Sequence, residues 1–179
     1  MPATHGMVVE SNTAELNDDR RTIIEMLFAE GNHFCPSCEK SGDCELQALG
    51  YRLGMVAPTF PYLWPRRELD ATHPDIFIDR NRCILCSRCI RASRTVDGKS
   101  VFGFVGRGIH MSLNVDTKGR LDDTELAAAD KAVHVCPVGC IVIKRTGYQV
   151  PYGTRRFDQS PIGSDIEARR TTGKLGRPS

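Results

Sequence analysis

Cysteine spacing constrains what this chain can fold into more than any other feature of its sequence. Eight cysteines occur in 179 residues, and six of them fall into two tight groups. The first group is Cys35, Cys38 and Cys44, and the second is Cys83, Cys86 and Cys89. The N-terminus has neither the basic nor the apolar segment of a secretory signal, so we expect a reducing, cytoplasmic location, where structural disulfides are rare. Grouped cysteines in such a compartment predict metal ligation.

The second cysteine group, together with a distant Cys-Pro pair, predicts an iron–sulfur site. Its C-x2-C-x2-C spacing matches the first part of the bacterial ferredoxin run C-x2-C-x2-C-x3-C-P. The fourth cysteine of that run would fall at Ser93, but a Cys-Pro pair follows later at Cys136 and Pro137. Zinc sites instead use separated pairs of cysteine or histidine, so the spacing favours a [4Fe–4S] cluster over zinc. We refer to the predicted ligands as the second ligand set: Cys83, Cys86, Cys89 and Cys136.

The first cysteine group supplies three ligands in one loop, GNHFCPSCEKSGDCELQ, and lacks a fourth. Two side chains could complete it: His33, two residues before Cys35, and the more distant Cys140. Imidazole ligates iron in Rieske-type centres, which favours the local histidine. Cys140 lies beside Cys136, and we expect it to be a small buried residue behind the second cluster. We refer to the predicted ligands as the first ligand set: His33, Cys35, Cys38 and Cys44.

The hydrophobic pattern predicts helices and strands around both groups. Residues 11–31 predict a helix that is capped by Asn12, ends at Gly31 and has an apolar stripe. Further helices are predicted at about 45–56 and over 122–136, the latter ending before Pro137. Strands are predicted in DIFID, in the two halves of KSVFGFVGRGIHMSLNVD and in CIVIKRTGY. The stripe on the first helix consists of Leu16, Ile23, Ile24, Leu27 and Phe28.

Motifs for other chemistry are absent from the sequence. There is no dinucleotide-binding glycine motif, Walker loop, nucleophile elbow or zinc-protease motif. We therefore expect no catalytic residue and no substrate site, so the chain should move electrons. No apolar run approaches the ~18 residues of a membrane span. Lys and Arg outnumber Asp and Glu from residue 144 onwards, but interleaved aromatic residues are lacking, so we expect no nucleic-acid partner. A zinc-braced interaction protein is the alternative from a different class.

Three segments carry a resemblance to a known family. LFAEGNHFCPSCEKSGDCELQALGY, DRNRCILCSRCIRAS, and CPVG followed by KRTGY closely resemble the small diaphorase subunit of cytoplasmic NAD-reducing [NiFe] hydrogenases. That subunit is similar to the N-terminal part of the large iron–sulfur subunit of respiratory complex I. The resemblance covers about residues 8–157. It implies a His/Cys3 [4Fe–4S] cluster on the first ligand set and an all-Cys [4Fe–4S] cluster on the second.

The resemblance also implies an organisation, a role and partners. We expect an α+β iron–sulfur protein, with residues 1–12 as the remnant of a [2Fe–2S] domain and 13–72 as a helical His/Cys3 segment. Residues 73–146 would form a ferredoxin-like domain and 147–179 an extended basic tail. No [2Fe–2S] cluster is expected, because no cysteine precedes Cys35. The implied role is an electron-transfer subunit between the small and large [NiFe] hydrogenase subunits and a flavin/NAD-binding diaphorase subunit. The alternative is the same role in an NAD-dependent formate dehydrogenase or a complex I-like assembly.

Overall fold

Four helices and five strands make up the regular structure of residues 2–115, 119–162 and 164, which are the residues described by this computed structural model. The α+β class predicted from the sequence is confirmed. No helix in these ranges is long and apolar enough to cross a membrane. The helices are α1 (Ala14–Glu30), α2 (Glu45–Arg52), α3 (Arg88–Thr95) and α4 (Lys131–His134). The strands are β1 (Leu69–Asp70), β2 (Ile76–Asp79), β3 (Phe102–Val105), β4 (Ser112–Val115) and β5 (Ile141–Ile143).

Helix α1 confirms the first predicted helix, with a shifted cap and a narrower buried face. Thr13 is the N-cap, and its side-chain oxygen accepts a hydrogen bond from a backbone N–H at 3.2 Å. Asn12 was the wrong choice of cap, because its side chain instead accepts a hydrogen bond from the Asn17 amide. Ile24 and Phe28 are buried one turn apart, whereas Ile23 is 57% exposed. The buried face is therefore centred on this i, i+4 pair, with Leu27 packed against the core beside it.

Two antiparallel sheets support the second ligand set. Strand β2 lies between β1 and β5, with Ile76 opposite Ile143 and Ile78 opposite Ile141. Strands β3 and β4 form a separate hairpin, as the sequence predicted. Strand β2 runs through a 3-10 turn (Arg80–Arg82) into the second cysteine group, and β5 begins directly after Cys140. The pairing of β2 with β5 therefore brings two distant parts of the second ligand set together.

The predicted helix over residues 122–136 is wrong. This stretch has a 3-10 turn (Leu121–Asp123) and then the single helical turn of α4. The Asp97 carboxylate accepts hydrogen bonds from the backbone N–H groups of Lys131 and Ala132, both at 2.9 Å. The Asp130 carboxylate accepts one from the Ala127 N–H at 2.8 Å. These side-chain acceptors occupy N–H groups that a continuous helix would use, so α4 starts late.

Helix α3 forms within the second cysteine group, where no helix had been predicted. The helix starts after Ser87, whose backbone is left-handed with φ 62°. Leu85, two residues earlier, is also left-handed, with φ 54°. These two turns reverse the chain between successive cysteines. The core around α3 and both sheets contains a set of almost completely buried side chains, chiefly Ile76, Ile78, Leu113, Val115, Leu121, Val138, Cys140 and Ile141.

Candidate iron–sulfur sites

The first ligand set lines one small cavity. The chain that carries it runs from the end of α1 to the start of α2, through a 3-10 turn over Cys35–Ser37. Phe28, Leu46 and Arg82 complete much of the cavity wall. Cys140, the alternative fourth ligand, is not among the residues that line it. The structure thus brings together the four side chains predicted from the sequence, which are His33, Cys35, Cys38 and Cys44.

His33 has the features of an imidazole held for a ligand. Its Nε2 atom is buried and has no hydrogen-bond partner within the described part of the chain. The ring packs against Phe28, with centroids 5.4 Å apart, and a Cβ atom on Gly31 would clash with it. Burial, reinforced by the positive charges of Arg82 and Arg67, lowers the pKa of His33 to about 4. The imidazole is therefore neutral at pH 7, which is the form that binds metals.

The cysteines of the first ligand set are held as protonated thiols by their surroundings. Burial raises the pKa of Cys44 to about 11, and burial also raises the pKa values of Cys35 and Cys38. A buried thiolate needs a compensating positive charge, and iron supplies it on binding. One buried imidazole that lacks a partner among the described residues and three thiols lining the same cavity fit the ligand chemistry of an iron–sulfur cluster.

The four sulfurs of the second ligand set lie within electrostatic reach of one another. Burial raises the pKa of Cys89 to about 12, and the negative charges of Cys136, Cys83 and Cys86 add to that effect. Burial also raises the pKa of Cys86, with further contributions from Cys136 and Cys83. Cys89 is in the first turn of α3, whereas Cys136 follows α4. The folded chain therefore brings the late Cys-Pro pair to the C-x2-C-x2-C group.

Cys140 lies behind the second ligand set and is 1% exposed, as expected from the sequence. A hydrogen bond from its thiol lowers the pKa of Cys136 to about 6 and lowers that of Cys83. The same two hydrogen bonds raise the pKa of Cys140 itself well above its usual value. Cys140 therefore acts as a protonated donor to two neighbouring sulfurs.

Residues next to the two ligand sets in the sequence contact each other directly. The Glu45 N–H, which follows Cys44, donates to the carbonyl oxygen of Pro137 at 2.9 Å. The Glu45 carboxylate also accepts two hydrogen bonds from the Arg88 guanidinium, at 2.9 Å and 2.8 Å. Arg88 lies between Cys86 and Cys89 in the sequence. Such bidentate contacts fix geometry as well as adding energy, so the two sites are held at a defined separation.

The described side chains do not form a preformed site for a single metal ion. Across residues 2–115, 119–162 and 164, no three His, Cys, Asp or Glu side chains approach closely enough to hold one metal ion. A single zinc ion requires four ligands at about 2.0–2.3 Å from one point. A four-iron cube is bonded at separate corners, so its ligands stand farther apart.

A segment near the C-terminus packs over the first ligand set, which the sequence did not indicate. We refer to residues 147–158 as the C-terminal strap. Arg155 is only 5% exposed, and its guanidinium donates to the carbonyl oxygens of Ser41 at 2.5 Å and Val150 at 2.8 Å. The Tyr148 hydroxyl donates to the Ser37 carbonyl at 2.8 Å. The predicted tail over 147–179 thus includes a part that holds the first cysteine loop, while residues 163 and 165–179 lie outside the described residues.

Comparisons with known proteins agree with this geometry. The family described as NADH-ubiquinone oxidoreductase-G iron-sulfur binding region matches residues 20–58, and the family described as 4Fe-4S single cluster domain matches residues 76–143. In a crystal structure of an NAD+-reducing [NiFe]-hydrogenase in the H2-reduced state, one chain is 52% identical, with a TM-score of 0.85. The match covers 90% of this chain and 69% of that one. This chain belongs to the iron–sulfur subunits of NAD-reducing hydrogenases.

Curated relatives of this hydrogenase-subunit family extend the comparison. The gamma subunit of the NAD-reducing hydrogenase HoxS of Cupriavidus necator is 43% identical over 86% of this chain and 65% of the relative. The mitochondrial NADH-ubiquinone oxidoreductase 78 kDa subunit of Candida albicans is 29% identical over 93% of this chain and 24% of the relative. The chain thus spans about two thirds of the hydrogenase relative and about a quarter of the NADH-ubiquinone oxidoreductase relative. The resemblance inferred from the cysteine segments is confirmed.

Several residues that contact the sites were not predicted from the sequence. Arg82 contacts Cys38 from 44 residues away, and Arg155 contacts the Ser41 carbonyl from 114 residues away. Gly139 also packs on Cys38, because a Cβ atom there would lie 2.9 Å from the Cys38 sulfur. The glycine between Cys136 and Cys140 was a weak signal of close approach. The two arginines had no signal, because nothing local in the sequence links them to the cysteine loop.

Proposed function

We propose that this chain relays electrons through two [4Fe–4S] clusters between a [NiFe] hydrogenase module and a flavin/NAD(P) diaphorase module. The observation that carries the proposal is the presence of two four-residue ligand sets whose neighbouring residues contact each other directly. When bound, each cluster would supply a one-electron carrier, and the two ligand sets would hold the two carriers in one chain.

The ligand assignments are part of the proposal. The first cluster is held by His33, Cys35, Cys38 and Cys44, and the second by Cys83, Cys86, Cys89 and Cys136. Support for the histidine ligand comes from its buried Nε2 atom, which has no partner among the described residues. Support for Cys136 over Cys140 comes from the sequence, since Cys136 is followed by Pro137 and matches the last ligand of the ferredoxin run.

The polypeptide contributes rigidity and exclusion of water to the relay. The Glu45–Arg88 pair and the hydrogen bond from Glu45 to Pro137 hold the two loops together. The C-terminal strap covers the first cysteine loop through Arg155 and Tyr148. A fixed geometry limits the change in structure on each electron transfer, and solvent exposure is one of the factors that set cluster potentials.

The proposed partners are the small and large [NiFe] hydrogenase subunits and a flavin/NAD-binding diaphorase subunit. Support comes from two hydrogenase relatives. One is the HoxS gamma subunit. The other is the HndD subunit of an NADP-reducing hydrogenase of Solidesulfovibrio fructosivorans, and this subunit is 33% identical to the chain. A complex I-like assembly is the second candidate, because the Candida albicans relative is a subunit of a mitochondrial NADH-ubiquinone oxidoreductase.

Purification from the source cells tests the proposal. The tagged chain should co-purify anaerobically with hydrogenase and flavin subunits that mass spectrometry identifies. In that complex, addition of NADH or H2 should bleach the broad visible absorption of the clusters. Co-purification with quinone-reducing or formate-oxidising subunits instead would favour the alternative assemblies. A colourless chain that contains zinc would overturn the relay itself.

A further inference from the structure

Arg82 is adjacent to the second ligand set in the sequence, but its side chain contacts the first ligand set. Its backbone directly precedes Cys83, the first residue of the second ligand set. Its guanidinium reaches back to the first ligand set, where Nη1 lies 3.6 Å from the Cys38 sulfur. The same nitrogen lies 3.4 Å from the Gly139 carbonyl oxygen, next to Cys140. Arg82 therefore links a residue of the first ligand set to two chain segments that carry the second.

We propose that Arg82 is a positioning residue that raises the reduction potential of the first cluster through its contact with the Cys38 sulfur. This inference rests on the proposed function, because it needs a cluster on the first ligand set. It is independent of the identity of the partner subunits.

The position of the guanidinium is fixed by anchors on both sides. Nε lies 2.9 Å from the Asp79 carboxylate at the end of β2, and Nη1 lies 3.0 Å from the Glu39 carboxylate, directly after Cys38. The Arg82 side chain is only 19% exposed. A guanidinium held by two carboxylates cannot swing away from the sulfur without breaking both ion pairs. Its planar fork makes these contacts at once, which a lysine ammonium cannot do in the same geometry.

The sign of the effect follows from charge. A hydrogen bond and a positive charge at a ligating sulfur withdraw negative charge from the iron, so the reduced state is stabilised and the potential rises. Glu39 and Asp79 act in the opposite direction, because both place negative charge near Cys38. Removing Arg82 leaves two unpaired carboxylates beside the site, whereas neutralising Glu39 leaves the cation. The two substitutions therefore have opposite predicted effects on the potential.

The test is a redox titration, followed by electron paramagnetic resonance, on the full chain reconstituted anaerobically with iron and sulfide. The variants are Arg82→Met, Arg82→Lys and Glu39→Gln. Arg120→Met is the matched control, because this exposed arginine pairs with Asp122 and contacts neither ligand set. A Cys136→Ser chain assigns the signals, since the signal that survives in it belongs to the first cluster. Iron content is measured on every variant.

The first-cluster potential should fall in Arg82→Met, fall less in Arg82→Lys and rise in Glu39→Gln, with the second-cluster potential changing less. The control should match the wild type. Unchanged first-cluster potentials in Arg82→Met and Glu39→Gln, with iron retained, would overturn the proposal, as would an equal shift of both clusters. If Arg82→Met loses iron, Arg82→Lys and Glu39→Gln decide the question by the same criteria. A wild-type chain that binds no iron would instead overturn the proposed function.

Discussion

The Cys140 thiol donates a hydrogen bond to the sulfur of Cys136, four residues earlier in the chain, and lowers the pKa of Cys136 to about 6. Both side chains lie at the turn between α4 and β5, and Cys140 has the raised pKa of the pair. The arrangement gives two neighbouring cysteines different roles. One is prepared as a thiolate, the form that binds iron, and the other remains a neutral donor.

These roles predict different outcomes for two serine variants. Cys136→Ser should lose the second cluster and about half of the iron, because a serine is a poor substitute for the thiolate ligand. Cys140→Ser should retain both clusters, since a hydroxyl can still donate to the neighbouring sulfur. Iron and sulfide analysis of the reconstituted chains is the measurement. If Cys140→Ser alone lost iron, the assignment of the two cysteines would have to be exchanged.

Binding of the first cluster should depend on His33 and should not depend on His110. His33→Ala should lower the iron content or open the cluster to a solvent ligand. His33→Cys should retain a cluster at a lower potential, because a thiolate adds a negative charge that the neutral imidazole lacks. His110→Ala is the control, as His110 is exposed and remote in sequence from both ligand sets. Unchanged spectra and potentials in both His33 variants would show that another group fills the fourth position.

The C-terminal strap offers a comparison between two adjacent arginines. Arg155→Met should destabilise the reconstituted protein by about 2–4 kcal/mol, because a buried cation with several backbone acceptors is lost. Arg156→Met should change stability by less than about 0.5 kcal/mol, since its exposed side chain makes a 3.5 Å contact with Glu45 and lies over the ring of the neighbouring Phe157. Anaerobic urea unfolding is the measurement. Equal midpoints for the two variants would show that the strap does not stabilise the first cysteine loop.

Cluster removal should abolish cooperative folding. The loop between α1 and α2 is short of apolar residues, and the buried Nε2 atom of His33 has no hydrogen-bond partner in the described structure. Metal–ligand bonds supply folding energy in proteins of this kind. We expect the chelator-treated chain to lose its sharp thermal transition in calorimetry, and reconstitution to restore it. An apo chain with an unchanged transition would show that packing alone holds the fold.

Local patterns in the sequence predicted the parts of the fold that depend on local chemistry. The short strands β2 to β5 follow from apolar runs bounded by turn residues, and α1 follows from its helical period. The cysteine spacing indicated both ligand sets because neighbouring ligands on one loop constrain each other directly. The family comparisons support iron–sulfur binding in both regions, while the individual ligands remain predictions.

Contacts between distant segments explain what sequence reasoning missed. The helix predicted over residues 122–136 is shortened because Asp97, from the end of α3, caps α4. Arg82 and Arg155 reach the first cysteine loop only after the sheet and the strap have folded. Nothing in the neighbouring sequence of these side chains specifies their partners.

The number of clusters tests the central claim most directly. Anaerobically reconstituted chain should contain about eight irons and about eight acid-labile sulfides, because each of the two proposed four-residue ligand sets would hold one [4Fe–4S] cluster. Its electron paramagnetic resonance spectrum should contain no [2Fe–2S] signal. Metal analysis by mass spectrometry, with sulfide determined on the same sample, is the measurement. About eight irons per chain without stoichiometric zinc is the predicted result, and about four irons, or one or two zinc ions in place of iron, would contradict it.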